Sequence, residues 1–198
     1  MLVVLLVIIL AVYLLIPRYT PPIVFNDFVS SEERRYIMEK AKDKLRPSTV
    51  SMDRVVKSNV RQSETAWLEL DDPVIRKIVN RCLAMTDRSI DNCENLQVVR
   101  YKEGGFYRPH QDAMADQENK RMYTFIIALN DEYDGGATLF PNLGTAYKLT
   151  AGDVLFFHTL DNYGFMTSKA LHGGMSVGNG EKWICNLWVS RRPITPSA

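Results

Sequence analysis

The sequence predicts a mainly β fold, a double-stranded β-helix (jelly roll) with helices flanking one side. The C-terminal half holds five runs rich in β-branched and aromatic residues, at 96–101, 123–129, 137–140, 153–158 and 183–190. Turn signals separate them: Glu-Gly-Gly, Asp-Gly-Gly, Asn-Leu-Gly, Ala-Gly-Asp and Gly-Asn-Gly. Two helical patterns precede the strands rather than alternate with them, which places helices on one face of an antiparallel sheet.

Residues 1–16 carry no charge and are rich in Leu, Val and Ile all round. That is short of the ~20 residues of a full membrane span. A cleaved signal peptide wants a basic start and small residues at the cleavage site. Residues 1–4 have no basic side chain, and 17–22 has no such small-residue pattern. The favoured reading is an uncleaved membrane anchor helix over 1–16, with a cleaved signal or a buried core segment as the alternatives. Arg18 is the only nearby charge and barely constrains orientation. Pro17, Pro21 and Pro22 mark 17–24 as an extended linker, and one domain follows over 25–198.

Ser30 and Glu33 form a capping box, followed by Tyr36, Ile37, Ala41 and Leu45 at helical spacing, with Pro47 as the stop. Residues 48–66 read as short strands around a long polar loop, of the kind that handles substrate beside a rigid site. Asp72 caps a second helix with Pro73 in its first turn. Ile75, Ile78, Val79, Cys82 and Leu83 make its apolar face.

A net charge of +1 gives no sign of a nucleic-acid partner. The three cysteines are too few for a disulfide scaffold and lack zinc spacing. Cys82 and Cys93 form the one pair to consider for a bridge in an oxidising compartment, although free buried cysteine is common.

The chemistry gathers around 101–112, Tyr-Lys-Glu-Gly-Gly-Phe-Tyr-Arg-Pro-His-Gln-Asp. In an extended segment His110 and Asp112 face one way and Gln111 the other. With the distant His172 they supply two imidazoles and one carboxylate, the face that holds ferrous iron with open positions. His158 ends a buried strand and reads as structural. In 182–190, alternation puts Lys182, Ile184, Asn186 and Trp188 on one face. A buried lysine charge needs a partner, and the carboxylate of a bound acid is a candidate. Gly104, Gly105, Gly135 and Gly136 serve turns.

These residues, with Arg121 before its strand, Asp-Gly-Gly-Ala-Thr at 134–138, Ala-Gly-Asp at 151–153 and Arg61-Gln-Ser upstream, resemble the prolyl 4-hydroxylases of the iron(II)/2-oxoglutarate-dependent dioxygenases. The resemblance covers roughly residues 25–193. It implies His110, Asp112 and His172 as iron ligands. Lys182 would grip the distal carboxylate of 2-oxoglutarate, helped by Thr138 and Tyr101, while Tyr107, Arg121 and Trp188 would line the peptide side. The implied reaction hydroxylates peptidyl proline at C4 in proline-rich or collagen-like substrates, consuming O2 and decarboxylating 2-oxoglutarate to succinate, with L-ascorbate keeping the iron reduced. The alternatives are the same chemistry on lysine or another residue, or a non-catalytic jelly-roll binding module tethered to a membrane.

Two departures stand out. Ala137 replaces a glutamate frequent in the family, and only residues 113–120 lie between Asp112 and Arg121, which shortens a loop and opens the channel. Because relatives work in the endoplasmic reticulum lumen, and a short apolar anchor fits that thinner bilayer, the expected location is membrane-anchored with a lumenal catalytic domain. The oligomeric state stays open.

Overall fold

The structure is a computed structural model in which residues 15–16, 18–49 and 59–194 are described. Most of the expected anchor therefore lies outside the described residues, as does much of the loop expected upstream of Arg61. Among the described residues no helix is long and apolar enough to cross a membrane. On that finding the membrane-anchored, lumenal location expected from the N-terminal run is corrected.

The chain opens with β1 (Ile23–Phe25), α1 (Ser31–Lys42), β2 (Arg46–Pro47), β3 (Arg61–Gln62), β4 (Glu64–Leu68) and α2 (Pro73–Leu83). It continues with β5 (Leu96–Tyr101), β6 (Phe106–His110), β7 (Arg121–Ala128), β8 (Tyr133–Gly135) and β9 (Thr138–Phe140). The last strands are β10 (Thr145–Tyr147), β11 (Val154–His158), β12 (His172–Gly174), β13 (Val177–Gly180) and β14 (Lys182–Ser190).

Both helices start as their caps dictate. The Ser30 side chain accepts from Glu33 N–H and the Glu33 carboxylate accepts from Ser30 N–H, closing the capping box. Asp72 accepts from Val74 and Ile75 N–H at 3.0 and 3.2 Å. The five apolar positions of α2 are all buried. α1 ends at Asp43, before Pro47. The Leu45 spacing mimics a further helical turn, but Arg46 and Pro47 pair with β4 as an edge strand, where a missing N–H is tolerated.

The large sheet has seven strands in the order β1-β11-β7-β14-β5-β4-β2. A second sheet runs β10-β9-β12-β6-β3, and β13 pairs with β8. Alternation along the large sheet sorts two cores. Cys185, Leu187, Val189, Val98 and Phe125 meet Ile37, Ile75 and Ile78 of the helices. Ile184, Val99, Ile126 and Phe157 turn the other way and meet Phe140 of the second sheet. Each fully buried Phe or Leu in these layers contributes about 1.5–3 kcal/mol relative to exposure. The expected jelly roll is therefore present, helices on one face and the second sheet on the other.

No bridge joins Cys82 to Cys93; all three cysteines are free. Cys82 faces the apolar core from α2, and burial pushes both thiols up to about 12, so they stay protonated.

Candidate active site

His110 ends β6 and His172 begins β12, and the two are direct cross-strand partners. Asp112 lies just beyond the strand, in a bend rather than in the extended segment the sequence predicts. Its carboxylate still meets both rings: Oδ1 is 3.6 Å from His110 Nε2 and Oδ2 is 3.6 Å from His172 Nε2. One donor atom from each of the three residues lies within 4.8 Å of the others.

The second-layer contacts fix which atoms are offered. His110 Nδ1 lies 2.9 Å from Arg108 O and His172 Nδ1 lies 3.0 Å from Ala170 O. A carbonyl only accepts, so each Nδ1 carries a proton and each Nε2 is the ring nitrogen turned toward the Asp112 carboxylate. Thr124 Oγ1 donates to Asp112 Oδ2 at 2.7 Å and orients the carboxylate. Burial, then the neighbouring His172, lowers the pKa of His110 and keeps it neutral. Burial raises that of Asp112, but His172, His110, Arg121 and the Thr124 hydroxyl outweigh it and keep the carboxylate ionised. Two imidazoles and one carboxylate fit iron(II). Phe140 and Phe157 pack on the His172 ring, Tyr107 stacks on His110 with centroids 3.7 Å apart, and Arg61 caps the Tyr107 ring at 4.7 Å.

Lys182 is as buried as Asp112 and His172. It is 4 % exposed, and its Nζ donates to Gly136 O at 2.6 Å. Among the described residues no carboxylate pairs with it. Burial, then Lys148, holds its pKa down to about 8. Gly136 adopts φ +64°, and a Cβ there would meet the Tyr133 ring at 2.8 Å and Lys182 Cδ at 3.3 Å. Tyr101 is the cross-strand partner of Lys182, with its ring centroid 5.5 Å from Nζ. Thr138, buried at the start of β9, lies across the same cavity.

At the other end, Arg121 is gripped by Glu94 through Nε and Nη2 at 2.6 and 2.7 Å. Its guanidinium lies 3.7 Å over the Trp188 ring. Trp188 is 7 % exposed, and its Nε1–H has no partner among the described residues.

A cavity of about 540 Å³ is lined by all nine residues singled out in the sequence: Tyr101, Tyr107, His110, Asp112, Arg121, Thr138, His172, Lys182 and Trp188. Ile184 and Asn186 line it too, as the alternation predicts. His158 does not; it packs edge-on against Tyr123. The sequence did not single out Thr124, Glu94, Gln97 or Trp67, and Arg61 stood only inside a motif. Gln97 lines the cavity by its register with β14 and Trp67 by its register with β5, which no local pattern in the sequence reveals.

A jelly roll with this cluster and a buried lysine lining one cavity defines an iron(II)- and 2-oxoglutarate-dependent oxygenase, and residues 96–190 match the 2OG-Fe(II) oxygenase superfamily. A protein of Acanthamoeba polyphaga mimivirus assigned as a prolyl 4-hydroxylase is 34 % identical over 188 residues, 89 % of this chain and 77 % of the viral one. Prolyl 4-hydroxylase 1 of Arabidopsis thaliana is 33 % identical over 194 residues, covering 86 % of this chain and 69 % of its own. Among solved structures, the 2-oxoglutarate complex of a collagen prolyl hydroxylase from Paramecium Bursaria Chlorella virus-1 superposes with a TM-score of 0.69 at 28 % identity, over 87 % of this chain and 96 % of that one. The chain belongs to the prolyl 4-hydroxylase family. It is an enzyme of the prolyl hydroxylase type and uses iron(II) and 2-oxoglutarate.

Proposed function

We propose that His110, Asp112 and His172 hold the iron through Nε2, a carboxylate oxygen and Nε2, within a catalytic domain spanning 25–198. Lys182 grips the distal carboxylate of 2-oxoglutarate, with the Thr138 hydroxyl and Tyr101 phenol beside it. Tyr107, Arg121 and Trp188 position a proline-containing peptide. The chemistry supplied by iron(II) with 2-oxoglutarate is an oxidative decarboxylation that gives succinate and carbon dioxide and places one oxygen of dioxygen on proline C4, with ascorbate as the family's reductant.

The chain's own part is binding, orientation and exclusion of water. The Lys182 ammonium offers a single deep point charge, which orients a dicarboxylic acid end-on. The apolar walls of Phe140, Phe157 and Ile184 keep bulk water off the cluster. Arg121 Nη1, the end of the guanidinium that Glu94 does not hold, offers a donor to a peptide carbonyl, and the Tyr107 ring offers a flat face to a pyrrolidine. Proline-rich or collagen-like segments suit this side because they are already extended.

Lys182 carries the reading: a buried ammonium with no counter-charge among the described residues, lining the same cavity as the triad. A plain binding module leaves that charge unexplained. The test is incubation of the purified chain with iron(II), 2-oxoglutarate and a proline-rich peptide. A product one oxygen heavier, located at proline C4, is expected, and Lys182→Ala should lose it unless 2-oxoglutarate is raised far above its wild-type requirement. Full activity of Lys182→Ala at ordinary 2-oxoglutarate would overturn the assignment.

A further inference from the structure

We propose that the mouth of the cavity selects proline peptides with an acidic residue near the target proline, held by Lys44 and Arg46 at the open edge of the large sheet. The proposal rests on the prolyl hydroxylase reading above and names the substrate class.

The register draws the path. On the cavity face, Ile184 of β14 pairs with Val99 of β5, Val99 with Thr65 of β4, and Thr65 with Arg46 of β2. A parallel row runs Asn186, Gln97, Trp67, tied by the Asn186 Nδ2–H to Gln97 Oε1 bond at 3.0 Å. Both rows lead from the cavity floor toward the last strand of the sheet. Trp67 is 45 % exposed, and its ring lies 6.0 Å from that of Trp188, so an aromatic floor continues outward from the substrate end. A large aromatic left this open at a cavity rim invites an apolar or pyrrolidine ring.

The charge is one-sided. Among the described residues Lys44, Arg46, Arg61, Arg121 and Lys182 line the cavity, against one carboxylate, Asp112, which belongs to the His cluster. Asp43 and Glu64, beside β2, do not line it, and Glu64 is already bound by Arg100. Lys44 and Arg46 are exposed and have no ion pair among the described residues. Arg46 Nη1 donates to the Asp43 and Leu45 carbonyls, which ties the guanidinium down at the rim. The whole chain has a net charge of only +1, so the excess is local. Low-dielectric walls focus such a field on an entering anion.

Spacing makes the proposal specific. From β14 to β2 is three interstrand steps of about 4.8 Å, roughly 14 Å. A polyproline-type peptide rises ~3.1 Å per residue. An acidic side chain meeting Arg46 or Lys44 therefore sits about three to five residues from the hydroxylated proline, on one side of it.

The experiment uses the full chain and a set of single-proline peptides, each with Glu, Ala or Lys about three to five residues before or after the proline. Both kcat/KM and binding of the labelled peptides, by fluorescence anisotropy, are read. The Glu peptide should exceed the Lys peptide by about tenfold at low salt, the scale of one or two partly exposed charge pairs. The gap should close at high salt. Lys44→Glu alone, and Lys44→Glu with Arg46→Glu, should reverse the ranking; the single variant keeps the Lys44 N–H bond to Ala41 O, and the side chain it replaces makes no hydrogen bond among the described residues. Equal ranking by the wild type, or a preference that survives the reversal, overturns the inference while hydroxylation of the Ala peptide leaves the underlying reading standing. Failure to hydroxylate any of the peptides overturns both.

Discussion

His110 and His172, remote in sequence, face each other directly across the β6–β12 ladder, so backbone pairing sets the separation of the two imidazoles. The carboxylate between them is steered from a third strand, where buried Thr124 donates to Asp112 Oδ2. Replacing Thr124 by Val keeps its shape and removes that bond. Iron(II) affinity should fall about 10- to 100-fold, the usual loss when an outer contact to a ligand is removed, while Thr124→Ser should stay near the wild type. His172→Ala should abolish both tight binding and turnover. Metal titration followed by turnover assays distinguishes the three variants; unaltered affinity in Thr124→Val would refute the steering role.

A second prediction concerns the pH response of Lys182. Its folded pKa is down at about 8, against an ordinary 10.5. Between those values the unfolded chain holds more protons on this group than the folded one, so its contribution to stability rises with pH from about 8 towards 10.5. Below about 8 the amine is charged in both states and the full burial penalty stands. A bound carboxylate relieves that penalty by pairing with the ammonium. The melting-temperature gain on adding 2-oxoglutarate should therefore be largest at about pH 7 and shrink towards about pH 9.5. Lys182→Met should melt higher than the wild type at about pH 7 without 2-oxoglutarate and lose the gain. Thermal melts of both proteins across this range, taken as differences so that other titrating groups cancel, check it. A gain that grows with pH would sink the idea.

What the sequence made legible was local. Alternation along β14 placed Lys182, Ile184, Asn186 and Trp188 on one face, and all four line the cavity. Both helix starts followed from side-chain caps that act within a few residues. The helix stop is masked in the sequence because Leu45 keeps helical spacing with Ala41 although the chain has already turned at Asp43. Asp112 was expected in a strand that ends at His110. Glu94, Thr124 and Trp67 went unmarked for one reason: each acquires its part through a partner on another strand, Arg121, Asp112 and Trp188 respectively. Register of this kind is decided by the whole sheet and leaves no local trace.

The pairing of Glu94 with Arg121 yields the third prediction. A bidentate carboxylate holds the guanidinium flat over Trp188, and freeing it allows the long side chain to swing. Glu94→Ala should raise KM for the peptide by roughly tenfold, the scale of one lost charged hydrogen bond, and leave the 2-oxoglutarate requirement unchanged. Glu94→Asp should recover part of the loss. A merely structural role would instead lower the melting temperature with both kinetic constants intact. Steady-state kinetics with each substrate varied in turn separates the two.

The last prediction tests how the metal cluster is supported from behind. Gly173 follows His172, and a Cβ there would lie 2.8 Å from both Pro109 N and Tyr107 O. Those atoms are backbone of the partner strand, so no side-chain rotation makes room. Gly173→Ala must push β12 away from β6, and with it His172 from His110. Overpacking of this kind typically costs about 1–3 kcal/mol. Iron(II) affinity should drop more than stability alone implies, because the ligand atoms separate. Gly144→Ala is the control: its positive φ of 64° also strains an alanine, but nothing lies within 4 Å of a Cβ there and it is not among the residues lining the cavity. Melting temperature and metal affinity measured side by side should show both falling in Gly173→Ala and only the first in Gly144→Ala. Wild-type iron affinity in Gly173→Ala would show that the two strands do not need this close approach to build the site.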